Sequence, residues 1–255
     1  MPRTELEYPK EPYGTVKRYS PRGTPSLLRS PFPNILPMLG QMGSFARPSA
    51  DEGDVLDLYL HGYVSSRVMN TSRQAPGSAS DAPPGLPICV AASHLDGLVL
   101  ALTPNSHSYN YRSAILFGHA TVVEDINERL YAMELITNGV VPGRWAHSRV
   151  PPNRAEMSST SVLKVTIATG SAKIREGPPG DERHDKEDGE VTGRVWTGVV
   201  PVFQVLGEPI AGPYNEVGEV PGYLEGYVRD SNASTKQLAV EVATKVVAKK
   251  NSENE

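Results

Sequence analysis

The chain has 255 residues, enough for one domain or a small pair. Lysine and arginine number 25 against 29 aspartates and glutamates, a formal charge of −4 that excludes a strongly basic nucleic-acid binder and a polybasic membrane anchor. A 38% apolar share permits a buried core, while 23 glycines and 23 prolines (46 of 255, or 18%, against a usual ~12%) exclude a long-helix bundle.

The sole cysteine, Cys89, excludes an internal disulfide and a cysteine zinc cage. No run approaches the ~18 apolar residues that span a bilayer, and the polar, Pro-rich start lacks the apolar core of a signal peptide. A soluble, cytoplasmic protein is expected.

Residues 1–33 hold no apolar periodicity and are punctuated by seven prolines from Pro2 to Pro33, so they read as a tail or wrapping arm. The first apolar run is Asn34 to Gly40. Asp54 to Gly62 alternates as a strand does. Arg73 to Pro87, rich in Ser, Ala, Gly and Pro, reads as a loop. Two short strands, 86–92 and 98–102, are expected around a tight turn at His94-Leu95-Asp96-Gly97. Arg112 to Val123 is a long strand whose Gly118 marks a bulge or a close backbone approach. Asp125 to Thr137 is the clearest helix, capped by Asp125 with Glu128 three residues on. Ser161 to Ala168 alternates again. Residues 176–190 are charged and rich in Pro and Gly, and read as a mobile loop. Val195 to Val205 is another strand, and Ser234 to Lys249 repeats apolar residues at helical spacing. Five or six strands without βαβ alternation favour an antiparallel barrel or sandwich.

No GxSxG, HExxH, P-loop or GxGxxG motif is present, which removes serine hydrolases, zincins, P-loop NTPases and Rossmann enzymes. None of the six histidines (His61, His94, His107, His119, His147 and His184) stands three to five residues from another, so no metal is expected. Three segments carry chemistry. His61-Gly62-Tyr63-Val64-Ser65-Ser66-Arg67 follows a strand and offers hydroxyls, backbone N–H groups and a guanidinium, a donor set that suits a phosphate monoester or a solvated turn. Asn105 to Ser113 (NSHSYNYRS) is dense in hydrogen-bonding groups, which are costly to bury without partners; Tyr109 and Tyr111 fit a site or a structural plug equally. Gly143-Arg144-Trp145 follows the helix and suits an anion, a stacked ring or a packing clamp. Lys173 and Arg175 share one face of a strand.

Six blocks in order, LYLHGYVSSR (58–67), LPICVAASHLDGLVLA (86–101), SHSYNYRSAILFGHATVV (106–123), VVPGRWAHSRVPP (140–152), SAKIREGPP (171–179) and VWTGVVPV (195–202), resemble the pyridoxamine 5′-phosphate oxidase-like family of flavin-nucleotide-binding proteins. The likeness is to the branch that includes nitroimidazole-resistance proteins, and most to its fungal members. The resemblance implies a mainly β fold, a six-stranded antiparallel Greek-key split barrel with flanking helices. It implies a homodimer with FMN at the subunit interface, a small-molecule substrate, and neither nucleic acid nor membrane as partner.

The resemblance gives the phosphate grip to Ser65, Ser66 and Arg67, with Arg112 and Ser113 also near the phosphate. His61, Asn110 and Tyr111 would line the flavin pocket, Arg144 and Trp145 would come from the partner subunit, and Lys173 would sit near the ring. The cofactor would do the redox work, so no catalytic residue is assigned. The expected function is an FMN-dependent oxidoreductase acting on a small organic molecule such as a nitro compound. The alternatives are a non-catalytic protein binding flavin, deazaflavin or haem (the last through a histidine such as His94), and an inactive family member. Relatives carry a helix and a first strand ahead of the block resembling PFPNILPM (31–38); here only Thr24 to Ser30 separates Arg22-Gly23 from that block, too short for both, so these two elements are expected to be missing. The domain reading is a Pro-rich arm at 1–30, the barrel at 31–205 and a C-terminal extension with a terminal helix at 206–255.

Overall fold

The computed structural model describes residues 35–51, 53–75 and 83–245. The arm expected at 1–30, and the stretch where a helix and a strand are expected to be missing, lie outside them. Residues from Met38 onward form one compact unit.

Among the described residues six strands make one antiparallel sheet: β1 (Gly40–Gly43), β2 (Asp57–Tyr63), β3 (Leu86–Leu100), β4 (Ser108–Val122), β5 (Thr160–Arg175) and β6 (Gly198–Pro201). Their order is β1-β2-β5-β4-β3-β6. β3, β4 and β5 are successive neighbours and β2 returns beside β5, which is the expected Greek key. Six α-helices among the described residues flank the sheet: α1 (Arg67–Gln74), α2 (Ile126–Val140), α3 (Arg154–Ser159), α4 (Arg183–Glu187), α5 (Gly189–Arg194) and α6 (Gly222–Thr244). No described helix is long and apolar enough to cross a membrane.

Strand alternation divides the core. Leu58 and Leu60 of β2 face one side with Leu163, Val165, Ala120 and Met69 of α1. Tyr59 faces the other side with Val162, Val123 and the α2 residues Ala132 and Ile136. The sheet is therefore buried on both faces at this end. At its opposite end Val99 is buried, and so are Ala239 and Val242 of α6, whose Val242 carbonyl accepts from Gly177 N at 2.8 Å.

Several expectations hold. Asp125 caps α2, its carboxylate accepting from Asn127 N at 2.7 Å and Glu128 N at 2.9 Å. Glu128 does not close a capping box, because Tyr59 and Lys164 both donate to it at 2.8 Å. The β4–β5 register shifts at Phe117/Gly118, and a Cβ on Gly118 would run into the Thr166 carbonyl. Other expectations are corrected. Residues 86–102 are not two strands about a turn: β3 runs unbroken, and Asp96 marks a register shift against β4. Its carboxylate is taken by Arg112 across the sheet, so it does not serve a turn. α1 begins inside what reads as turn and loop. Residues 176–190 are ordered in part by two short helices, the second capped by Asp188, while Asp181 accepts from Leu102 N at 2.7 Å. β6 keeps only four residues of the expected 195–205 strand. α6 starts twelve residues before Ser234, and residues 246–249 of the expected helix lie outside the described residues.

Candidate functional site

β2 ends at Tyr63 and the chain turns at once. Ser66 N donates to Tyr63 O and Val64 N to Ser159 O, both at 2.9 Å, and α1 begins at Arg67. α1 then holds the turn from behind. Arg73 Nη1 donates to Val64 O and to Asn70 Oδ1 at 2.9 Å, and its Nη2 to Ser161 Oγ at 2.7 Å. Asn70 Nδ2 donates to Ser65 O at 3.1 Å. Ser65 and Arg67 are exposed and Ser66 is half-buried. Ser66 occupies the N-cap position of α1 but makes no side-chain cap bond. Its Oγ and the Nδ1 of His61 are the two buried side-chain polar atoms without a hydrogen-bond partner among the described residues. Leaving such a group unpaired costs about 1–3 kcal/mol, so each needs an explanation.

The His61 ring faces a cavity of about 290 Å³. Met133 and Ile136 of α2, Trp145 and Pro152 supply apolar walls, with Thr137, Glu156 and Thr160 as polar ones. Burial pushes the His61 pKa below its ordinary 6.5, so the ring is neutral at pH 7. Trp145 is set by the turn after α2: Gly143 takes a left-handed φ of 74°, and Trp145 N donates to Asn138 Oδ1 at 2.9 Å. Arg149 and the Asn153 backbone N–H donate to the Glu156 carboxylate and hold its pKa below the usual range.

The other residues singled out from the sequence lie elsewhere. Val162 pairs with His61 and Ile174 with Arg112. Twelve residues of β5 separate those positions, up to about 40 Å along the strand. Asn110 is fully buried; its Nδ2 donates to Gly177 O at 3.0 Å and its Oδ1 accepts from Arg175 at 2.5 Å. Arg112 forms a two-point ion pair with Asp96, at 2.9 and 3.0 Å. Ser113 Oγ donates to Lys173 O at 3.1 Å, and Lys173 Nζ lies 5.8 Å from the Tyr111 ring centroid. Arg144 donates to Tyr223 OH at 2.6 Å, and the His147 ring stacks on Tyr223 with centroids 4.0 Å apart.

The chain thus brings His61 and Trp145 together in a cavity, with Ser65, Ser66 and Arg67 in the turn that follows His61. It leaves Asn110, Tyr111, Arg112, Ser113 and Lys173 at the far end of the sheet, and ties Arg144 to α6. Sequence reading missed Asn70 and Arg73, four and seven residues beyond Ser66. That helical spacing was the available signal. It also missed Asp96 and Tyr223, whose partners are remote in sequence.

Residues 24–174 match the family model described as pyridoxamine 5′-phosphate oxidase. Two solved structures are similar over most of their length. The flavocytochrome Anf3 from Azotobacter vinelandii is 26% identical, with a TM-score of 0.56, covering 75% of this chain and 84% of that one. The FAD and haem binding protein from Mycobacterium smegmatis is 28% identical, with a TM-score of 0.57, covering 74% and 87%. A candidate 5-nitroimidazole antibiotic resistance protein from Bacteroides thetaiotaomicron overlaps less, at 18% identity and a TM-score of 0.37 over 55% and 68%. No curated protein matches the chain.

Proposed function

The chain belongs to the pyridoxamine 5′-phosphate oxidase family. On that premise we propose that it is a flavin-nucleotide-binding oxidoreductase, a homodimer that holds FMN between its subunits and acts on a small organic molecule such as a nitro compound. Within the family it is assigned to the nitroimidazole-resistance branch, in its fungal form. One observation carries the reading: both unpartnered buried polar atoms, His61 Nδ1 and Ser66 Oγ, lie in the segment whose donors suit a phosphate ester.

Ser65, Ser66 and Arg67 would hold the phosphate, with the first N–H groups of α1 adding partial positive charge. Arg73 and Asn70 already fix that turn, so little ordering would be lost on binding. The neutral His61 ring and Trp145 would border the reactive end, and the apolar walls beside them would exclude water. When bound, the flavin supplies the electron transfer; the chain binds it, orients it and surrounds it with fixed dipoles.

Strand alternation decides what the far end of the sheet would offer from the second copy. Asn110 and Arg112 face one side and are engaged by Arg175, Gly177 and Asp96. Tyr111, Ser113 and Lys173 share the other face, which is half-buried to exposed; Ser113 Oγ donates there to Lys173 O, and Tyr111 and the Lys173 ammonium would meet the ligand. Arg144 would reach a ligand only by releasing Tyr223.

A second reading, haem binding beside a flavin, is favoured by the descriptions of the two neighbours. Exposed His94 would be its axial ligand.

An absorption scan of the purified full chain, followed by FMN and FAD titrations, tests both. A yellow protein that binds FMN, and consumes reduced nicotinamide with a nitro compound present, supports the first reading. Arg67→Ala should weaken FMN by about 2 kcal/mol, roughly 30-fold, through loss of a charge-assisted contact. Colourless protein without flavin affinity removes the flavin reading, and a Soret band on reconstitution that His94→Ala abolishes establishes the haem reading.

A further inference from the structure

Trp145 lines the His61 cavity, but its neighbours in the same turn, Arg144 and His147, line a second cavity of about 650 Å³. The other walls come from the connection between β6 and α6 and from the first residues of α6. Residues 202–221 of that connection form no helix or strand, and a structureless run of this length in a compact unit calls for a role. It is nevertheless anchored. Leu206 exchanges two hydrogen bonds with the Asn232 side chain, at 2.7 and 2.9 Å. Asn215 N donates to Gly212 O at 3.0 Å, and Asn215 Nδ2 to Val217 O at 2.8 Å. The walls are thus held before a ligand arrives, which lowers the ordering cost of binding.

The polar and apolar walls together define the occupant. Arg144 uses one N–H on the Tyr223 hydroxyl, at 2.6 Å, and the rest of its guanidinium has no acceptor among the described residues. The Tyr223 ring stacks on His147, centroids 4.0 Å apart, and His147 Nδ1 donates to Gly143 O at 3.0 Å. A guanidinium fixed at one corner, with N–H groups left over, suits a planar carboxylate. Ile210, Val217, Val220 and Leu224 supply the apolar side. Ile210 and Val217 stand 95% and 62% exposed, surface that an aromatic body would take out of water. Glu219 lines the same cavity and sets a limit on charge, since it repels a second negative charge on the ligand. A cavity of this size encloses most of a two-ring molecule.

We propose that this cavity binds an aromatic monocarboxylate, with the carboxylate on Arg144 and the rings against Ile210, Val217 and Val220. The site is separate from the His61 cavity. It stands on the chain's own geometry and does not depend on flavin binding.

Ligand-detected NMR titration of the full chain tests it with three matched probes: 2-naphthoate, its neutral counterpart 2-naphthamide, and the dianion 2-naphthyl phosphate. Naphthoate should bind with a Kd of about 1 mM or tighter. Naphthamide and naphthyl phosphate should each bind about 10-fold more weakly. Arg144→Gln should erase the difference between naphthoate and naphthamide, and Glu219→Gln should bring naphthyl phosphate level with naphthoate. Val217→Glu should weaken naphthoate and naphthamide alike by about 10-fold, with far-UV circular dichroism and the mass from light scattering unchanged. Added FMN should leave naphthoate bound. No signal from any probe, equal affinity for naphthoate and naphthamide, a Val217→Glu chain that binds as wild type does, or displacement by FMN overturns the proposal. A Val217→Glu chain of altered mass gives the loop to a subunit contact and overturns it as well. FMN titration is read separately: a chain that takes naphthoate and no flavin keeps this site and removes the flavin reading, and the opposite result does the reverse.

Discussion

The Asp96–Arg112 pair is lopsided, and that asymmetry fixes how its two halves respond to mutation. Asp96 is 6% exposed at its side chain and Arg112 41%. Both bonds between them have normal length, 2.9 and 3.0 Å. Replacing Arg112 by Met leaves a carboxylate buried without its counter-charge. Breaking a buried pair in this way costs about 3–5 kcal/mol. Replacing Asp96 by Asn removes the buried charge itself and keeps one acceptor for the guanidinium, which water already reaches. An exposed pair is worth about 0–1 kcal/mol, so this half-buried case should cost about 2 kcal/mol. The double variant should be milder than Arg112→Met alone, since no charge is stranded. Urea unfolding followed by far-UV circular dichroism at fixed protein concentration gives all three values. If Arg112→Met costs less than Asp96→Asn, the asymmetry drawn from the burial of Asp96 is refuted. FMN titration of Asp96→Asn then checks the remainder: a released Arg112 should not weaken phosphate binding.

Four further outcomes follow from single sites. Burial keeps His61 neutral in the fold while the unfolded chain protonates near pH 6.5. Stability should therefore fall as pH drops through 6.5 toward the lower folded value, by at most about 1.4 kcal/mol per pH unit from this residue, and a melt series in which His61→Gln shows the same slope refutes the assignment. Gly118→Ala should cost about 2 kcal/mol or more, because its Cβ would meet backbone at Thr166 rather than a movable side chain; an unchanged urea midpoint contradicts the close approach. Tyr59→Phe removes the 2.8 Å bond to Glu128 from a fully buried ring and should lose about 2 kcal/mol in the same assay. Asp125→Ala should lose about 1 kcal/mol by freeing two N–H groups at the start of α2.

What was legible in the sequence was whatever short-range periodicity dictates. Leu58 and Leu60 alternate with Tyr59, and the two cores follow from that. Asp125 sits one residue before an apolar stripe, and it caps. Gly118 interrupts a strand where only a hydrogen fits beside the next backbone. The errors arise where a remote partner outvotes a local preference. Asp96-Gly97 has the composition of a hairpin turn, yet Arg112 claims the carboxylate and the strand runs through. Residues 176–190 have a disordered composition, yet Asp181 receives Leu102 N and Gly177 is held by Asn110 and Val242. α1 has a single deeply buried apolar residue, Met69, and no acid in its first turn, so neither periodicity nor dipole advertised it.

The candidate site divides on the same principle. A turn of hydroxyls after an alternating strand announces a ligand because the strand spends its apolar residues on the core and leaves the polar ones unmatched. His61 and Ser66 are the outcome, two buried polar atoms still waiting for a partner. Asn110 to Ser113 looked equally rich, but four consecutive strand residues cannot all face one ligand. Their register assigns Asn110 and Arg112 to one side and Tyr111 and Ser113 to the other. The side chains of the first pair are engaged by Arg175, Gly177 and Asp96, while on the second face Ser113 Oγ donates to Lys173 O and leaves Tyr111 and the Lys173 ammonium for a ligand. That face lies up to about 40 Å along β5 from His61, and this separation is what leads the proposed flavin reading to draw the two groups from two copies of the chain.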